Sequence, residues 1–230
     1  MARASRSEHY RREVSRVEGF SDAVFAFAIT LLVVSLAVPK TFDELMAAIR
    51  GFPAFAVCFA LLFQVWWRHY RFFRNYDLED GPVIALTGVL LFVVLFYVYP
   101  LKFLWSIFFA QFTRRVTDEV LTNSQMPALF EIYGLGVAAV FAILALMYWH
   151  AYRHREDLDL TPVEVLDTRF DIYRNIALAC IGLASAVAAA ILARVAPRAL
   201  GVAGYMYFLI GIAEWRLGEK HGRLRKSLGA

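Results

Sequence analysis

Charge is scarce in this sequence: Asp, Glu, Lys and Arg make up 19% of its 230 residues, where soluble globular domains carry about a quarter. That shortage, beside a hydrophobic share of 60% and a mean hydropathy of +0.54, excludes an ordinary water-soluble domain. Cysteine is nearly absent too. Cys58 and Cys180 both fall inside apolar stretches, which excludes a disulfide framework and a cysteine-based metal site. Seven prolines and no low-complexity run argue against disorder. The apolar stretches also lack period-two alternation, which excludes a spanning β-barrel.

What is present is a set of six apolar blocks, at 17–38, 51–67, 83–101, 129–149, 176–193 and 199–215. Each is about the length of a membrane-spanning helix, roughly 17 to 25 residues. The first is too long for a secretory signal and no small-residue cleavage site follows it, so it is expected to remain as the first span. The expected fold class is an all-α membrane protein of six transmembrane helices.

Orientation follows from the basic residues between the spans. With both termini inside, 17 of the 24 Lys and Arg fall on the inner side, so the expected arrangement is N-in, C-in. The chain then divides into a basic cytoplasmic N-terminus at 1–16, a transmembrane domain at 17–217 and a basic cytoplasmic tail at 218–230. The basic residues are spread over membrane-flanking loops without a nucleic-acid-reading motif, so the net charge of +4 points to anionic lipid headgroups.

Two connecting segments carry local signals. Segment 103–127 is aromatic in its first half and either extends the third helix past Pro100 or lies in the interface. Segment 153–174 holds Thr161, Pro162 and Glu164, a cap, a first-turn proline and a first-turn acid, which predict a short cytoplasmic helix. Gly182, Ser185, Ala186 and Ala189 suit the fifth span to tight helix contacts, within one subunit or between subunits.

Polar residues inside spans are costly, and each is a functional candidate. Asp22 lies about one turn into the first span, six residues after Arg16. An interfacial ion pair between the two is the simplest reading of the residues alone. Glu131 and Glu214, near span ends, read as solvated, leaving Asp22 as the deep acid.

The stretch from Arg16 to Asp22 reads R-V-E-G-F-S-D, followed by A-V-F-A-F-A-I-T-L-L-V, and the second span ends in W-W-R-H. Arg16, Phe20, Ser21 and Asp22, with Trp66 and His69, resemble the R-x-x-x-F-S-D and W-x-x-H signatures of the transmembrane protein 175 potassium channels. The resemblance implies a homotetrameric, potassium-selective channel in the cell membrane, with a central pore lined by the first helix of each subunit and no cofactor beyond permeant potassium. It places the pore constriction at Phe27, Leu31 and Val34 and a selectivity layer at Thr30.

Helix geometry agrees on one point. At about 100° per residue, Phe27, Leu31 and Val34 form one narrow stripe, whereas Asp22 lies about 140° from Phe27. Arg16, Ser21 and Asp22 are therefore expected to form a polar network reaching Trp66 and His69 rather than to line the pore. Gly19, Ala23, Ala26 and Thr30 occupy a sector beside the stripe and permit close helix approach. The residues by themselves leave blander alternatives open: lipid contact for the stripe, a headgroup-level place for His69, and a bond from Thr30 back to its own helix. Two positions depart from the family pattern, Phe27 where a smaller aliphatic residue is usual and Thr87 where an Asn is usual.

No T-V-G-Y-G-like segment is present, so a filter of backbone carbonyl rings is unavailable. The spans also offer no cluster of His, Asp, Glu or Cys for metal or acid–base chemistry, which argues against an enzyme. A secondary transporter would call for midplane charges and broken helices in two related halves. That reading and a non-conducting membrane scaffold are the alternatives.

Overall fold

The computed structural model describes residues 14–34, 39–113, 125–196, 204 and 206–227. Residues 1–13 of the basic N-terminus, 114–124 of the long connecting segment and 199–203 at the start of the sixth block lie outside the described residues.

Six helices account for the described chain: α1 (Arg16–Val34), α2 (Phe42–Tyr76), α3 (Gly81–Thr113), α4 (Met126–Arg153), α5 (Pro162–Val195) and α6 (Phe208–Ser227). The first five are long and apolar enough to cross a membrane. Among the described residues α6 is not one of them, because it starts later than the sixth apolar block and runs on through the basic residues beyond 217. The described part of the C-terminal tail is thus a continuation of a helix.

Local sequence explains the boundaries. Thr41 caps α2, its hydroxyl accepting from the Glu44 amide at 3.2 Å, and Asp77 ends the helix in a left-handed conformation. At the start of α5, Thr161 and Glu164 form a reciprocal capping box with Pro162 in the first turn. The cap read from the sequence is there, but the helix it opens is not short. No breaker separates residue 162 from the fifth apolar block, so the expected cytoplasmic helix and the fifth span are one helix of 34 residues. Likewise α3 continues through Pro100 to Thr113, which decides the two readings of segment 103–127 for its described first half in favour of helix extension. Trp105 and Phe108 meet edge to face there.

Packing joins two groups of helices, with α3 resting on α4 between them. The helices α1, α2 and α3 contact one another, and α4 pairs with α5 along the most extensive seam. Gly134 and Gly182 make that seam possible. A Cβ on Gly134 would stand 2.6 Å from the Gly182 carbonyl oxygen, and one on Gly182 would stand 2.8 Å from the Ala138 amide nitrogen. Ser185, Ala186 and Ala189 continue the buried side of α5, so the small residues of the fifth span serve contacts within the subunit. The core between the two halves is aromatic: Phe72, Phe73, Tyr76 and Tyr148 are buried, and both Phe72 and Tyr76 meet Tyr148 edge to face.

Candidate functional site

One face of α1 is committed to the fold and the opposite face is free. Ser21, Phe25, Ala28 and Leu32, at spacings of three and four, are buried against α2 and α3. Phe27 and Val34 are 56% and 70% exposed, Leu31 is half-buried and Thr30 is exposed. Phe27, Val34 and Thr30 therefore lie on the side of α1 that the other described residues leave uncovered, while Leu31, at the edge of the stripe, packs partly against the core. Gly19, Ala23 and Ala26 lie on that free face as well, and the space beside Gly19 is open within 4 Å. Thr30 satisfies its own hydroxyl, donating to the Ala26 carbonyl at 2.9 Å.

The signature residues separate into two groups. On the exposed side, the Trp66 indole Nε1 donates to Asp22 Oδ1 at 2.7 Å, joining α1 to α2. Phe20 and Arg16 are exposed on the same helix, and Arg16 is not paired with Asp22, so the interfacial ion pair is absent. On the buried side, Ser21 donates to the Val17 carbonyl at 2.7 Å and so closes on its own helix instead of joining Asp22. His69 is 2% exposed, buried inside the bundle, with its Nε2 at 3.4 Å from the Thr87 hydroxyl oxygen. The ring also packs against Phe25 and Phe73. Thr87 thus stands where its hydroxyl meets the histidine, and the two groups share only their helices.

A second polar cluster escaped the sequence reading. Arg68, counted there among the inner loop charges, is 5% exposed within the bundle. Its Nη2 donates to Glu214 Oε1 at 2.7 Å, its Nη1 donates to Asn175 Oδ1 at 3.3 Å, and its carbonyl accepts from the Tyr148 hydroxyl. Glu214 also pairs with Arg174 at 2.5 Å, so it is a bridging carboxylate and not a solvated one. Asp171, a second deep acid, is buried on α5 and faces Arg71 at 3.9 Å. The cluster ties α2 to α5 and α6. A buried guanidinium is tolerable only with such partners.

At the neighbouring helix ends, Asp80 caps the first turn of α3 through the Val83 amide and meets His150 of α4 at 2.5 Å. Burial alone would push the Asp80 carboxyl up. The hydrogen bonds from His150 and Val83, with the charges of His150 and His154, outweigh it and hold the group below its ordinary value of 3.8. Among the described residues, His, Cys, Asp and Glu nowhere converge as a metal-binding set.

Comparison with known proteins places this geometry. Residues 16–97, which cover the signature helix, the Trp66 and His69 helix and about half of the third, match the family described as endosomal/lysosomal potassium channel TMEM175. A potassium channel of Marivirga tractuosa is 39% identical over 211 residues, covering 86% of this chain and 83% of the relative. The crystal structure of a variant of the potassium channel MtTMEM175 superposes with a TM-score of 0.80 at 38% identity, covering 93% of this chain and 95% of the other. A TMEM175 homologue from Chamaesiphon minutus, at 22% identity and a TM-score of 0.56, shares the fold over 92% of this chain and 99% of its own. With that level of identity over most of both chains, the protein belongs to the TMEM175 family of potassium channels.

Proposed function

We propose that this chain forms a potassium-selective cation channel as a homotetramer, with the α1 helices around a central pathway. The observation that carries the reading is the exposed face of α1: among the described residues Phe27 and Val34 of the apolar stripe are uncovered and Leu31 is half-buried at its edge, beside small residues that allow a second helix close. In such an assembly Gly19, Ala23 and Ala26 receive a neighbouring subunit while the stripe faces the axis. The likeness to potassium channels supplies the ion.

Mechanistically, the pathway constricts at a ring of four Phe27 side chains, with Leu31 and Val34 beyond it. An apolar ring gates by dewetting, so passage depends on how far the rings stand from the axis. Thr30 forms the layer between Phe27 and Leu31, and its hydroxyl, anchored to Ala26, presents oxygen lone pairs to a passing cation. Asp22, turned to Trp66, fixes the helix without serving as an ion ligand. The channel domain spans 17–217, in the cell membrane with both termini cytoplasmic, surrounded by lipid.

Reconstitution into liposomes with outward potassium, caesium or sodium gradients tests this. The reading expects passage of potassium and caesium well above sodium, from particles of four subunits. Absence of any cation flux from intact tetramers contradicts it.

A further inference from the structure

The pair α4 and α5 carries a groove unconnected with the α1 face. Its volume is about 500 Å³, within the range of sites that hold small molecules. One wall is Ala142, Leu146 and Trp149 of α4, the other Ala179, Cys180 and Leu183 of α5. The lining is almost wholly apolar, without the convergent polar groups that orient a water-soluble ligand. An occupant of the groove itself must be hydrocarbon.

The end of the groove differs. Helices α4 and α5 are antiparallel neighbours, so Trp149 and Ile172 mark the end where α4 stops and α5 begins. Arg153 follows Trp149 by four residues and Arg169 precedes Ile172 by three, which puts both on the groove's face. The Arg153 guanidinium lies 4.9 Å over the Trp149 ring, and Arg169 stands beside Tyr173. All four side chains are exposed, and among the described residues neither arginine is paired with a carboxylate. Trp and Tyr mark the headgroup level of a bilayer, and guanidinium forks match phosphate geometry. Two uncompensated arginines beside a hydrocarbon groove are complementary to an anion that carries a hydrocarbon tail.

We propose that the α4–α5 groove is a binding site for an anionic phospholipid, with an acyl chain along the alanines and the phosphate held by Arg153 and Arg169. The site is independent of the pore. It leaves Cys180 beneath the chain, and the protein's other cysteine, Cys58, is buried.

Native mass spectrometry of the detergent-purified protein with phosphatidylglycerol and phosphatidylcholine of matched chains tests this. Wild type is expected to retain phosphatidylglycerol about tenfold over phosphatidylcholine, a preference that Arg153→Gln/Arg169→Gln abolishes. Ala142→Phe/Ala179→Phe, which fills the groove, is expected to lose both lipids. Because the arginines are exposed, their replacement keeps the fold and carries the test even if the filled groove misfolds. Alkylation of Cys180 by a bilayer-soluble maleimide is expected to slow several-fold when phosphatidylglycerol is added. Equal retention of the two lipids by wild type, an unchanged preference in the arginine variant, or Cys180-linked dimers under mild oxidation would each overturn the proposal. The last outcome would mean that a second copy of the chain covers the groove.

Discussion

The indole of Trp66 donates to the carboxylate of Asp22 across 2.7 Å, at a point on α1 turned away from the Phe27 stripe. The bond fixes the rotation of α1 against α2 and thereby decides which residues the helix leaves free. A hydrogen bond to a charged acceptor contributes about 1.5–3 kcal/mol. Asp22→Ala and Trp66→Phe are therefore expected to lower thermal stability and the yield of assembled oligomer, with the double variant little worse than either alone. Fully assembled Asp22→Ala with altered ion selectivity would contradict a structural role for the carboxylate.

The Arg68–Glu214 pair makes a second prediction. Removing one member of a buried ion pair strands the other, at a cost of about 3–5 kcal/mol. Glu214→Leu leaves Asn175 as the remaining side-chain hydrogen-bond partner of Arg68, removes the partner of Arg174 as well, and is expected to destabilise strongly in chemical unfolding. Arg68→Met/Glu214→Leu should lose less than the two single changes added together, and simple additivity would show that the pair is not coupled.

Glycine positions discriminate between the α4–α5 seam and the free surfaces. Gly182→Ala forces a methyl group against Ala138 and Gly134 backbone atoms, whereas Gly211 has nothing within 4 Å. The first substitution is expected to cost several kcal/mol and to impair folding, since helix backbones in contact cannot shift cheaply. Gly211→Ala is expected to be neutral or stabilising by up to about 1 kcal/mol, on helix propensity alone. Melting temperatures of the two variants check the contrast.

Asp80 gives a pH dependence of known sign. Its carboxyl is held below the ordinary value of 3.8, so its contribution to stability is fully present above that value and is lost as pH falls through the lower, folded one. The difference in melting temperature between wild type and Asp80→Asn should be present in full near pH 5, where the carboxyl is ionised, and shrink below about pH 4. A difference that grows as pH falls from about 5 to about 3 would reverse the assignment.

What the sequence disclosed and what it withheld divide along physical lines. Span lengths and the Thr161 capping box depend on residues within a few turns of one another, and the local pattern exposes them, whereas Phe27, Leu31 and Val34 were singled out by the family resemblance, with helix geometry adding only that they share a stripe. The Asp22–Trp66 contact crosses 44 residues and was approachable only because both sit in motifs resembling those of a known family. The Arg68–Glu214 contact crosses 146 residues and involves groups that hydropathy assigns to wet span ends. Nothing local distinguishes a loop arginine from one folded back among α2, α5 and α6. The unusual density of Arg68, Arg71, Asp171, Arg174 and Asn175 near span ends was the available signal.

The central claim, that the free face of α1 lines the cation path, is most directly tested by cysteine accessibility at Phe27. In a Cys180→Ser background, with Cys58 buried, Phe27→Cys is reconstituted in liposomes and its potassium flux followed before and after a water-soluble cationic thiol reagent. The account predicts that modification blocks most of the flux, that high potassium slows modification, and that the thiol of Phe25→Cys, at a buried position, is unreactive. Potassium flux that continues unchanged after the thiol of Phe27→Cys is fully modified would contradict it.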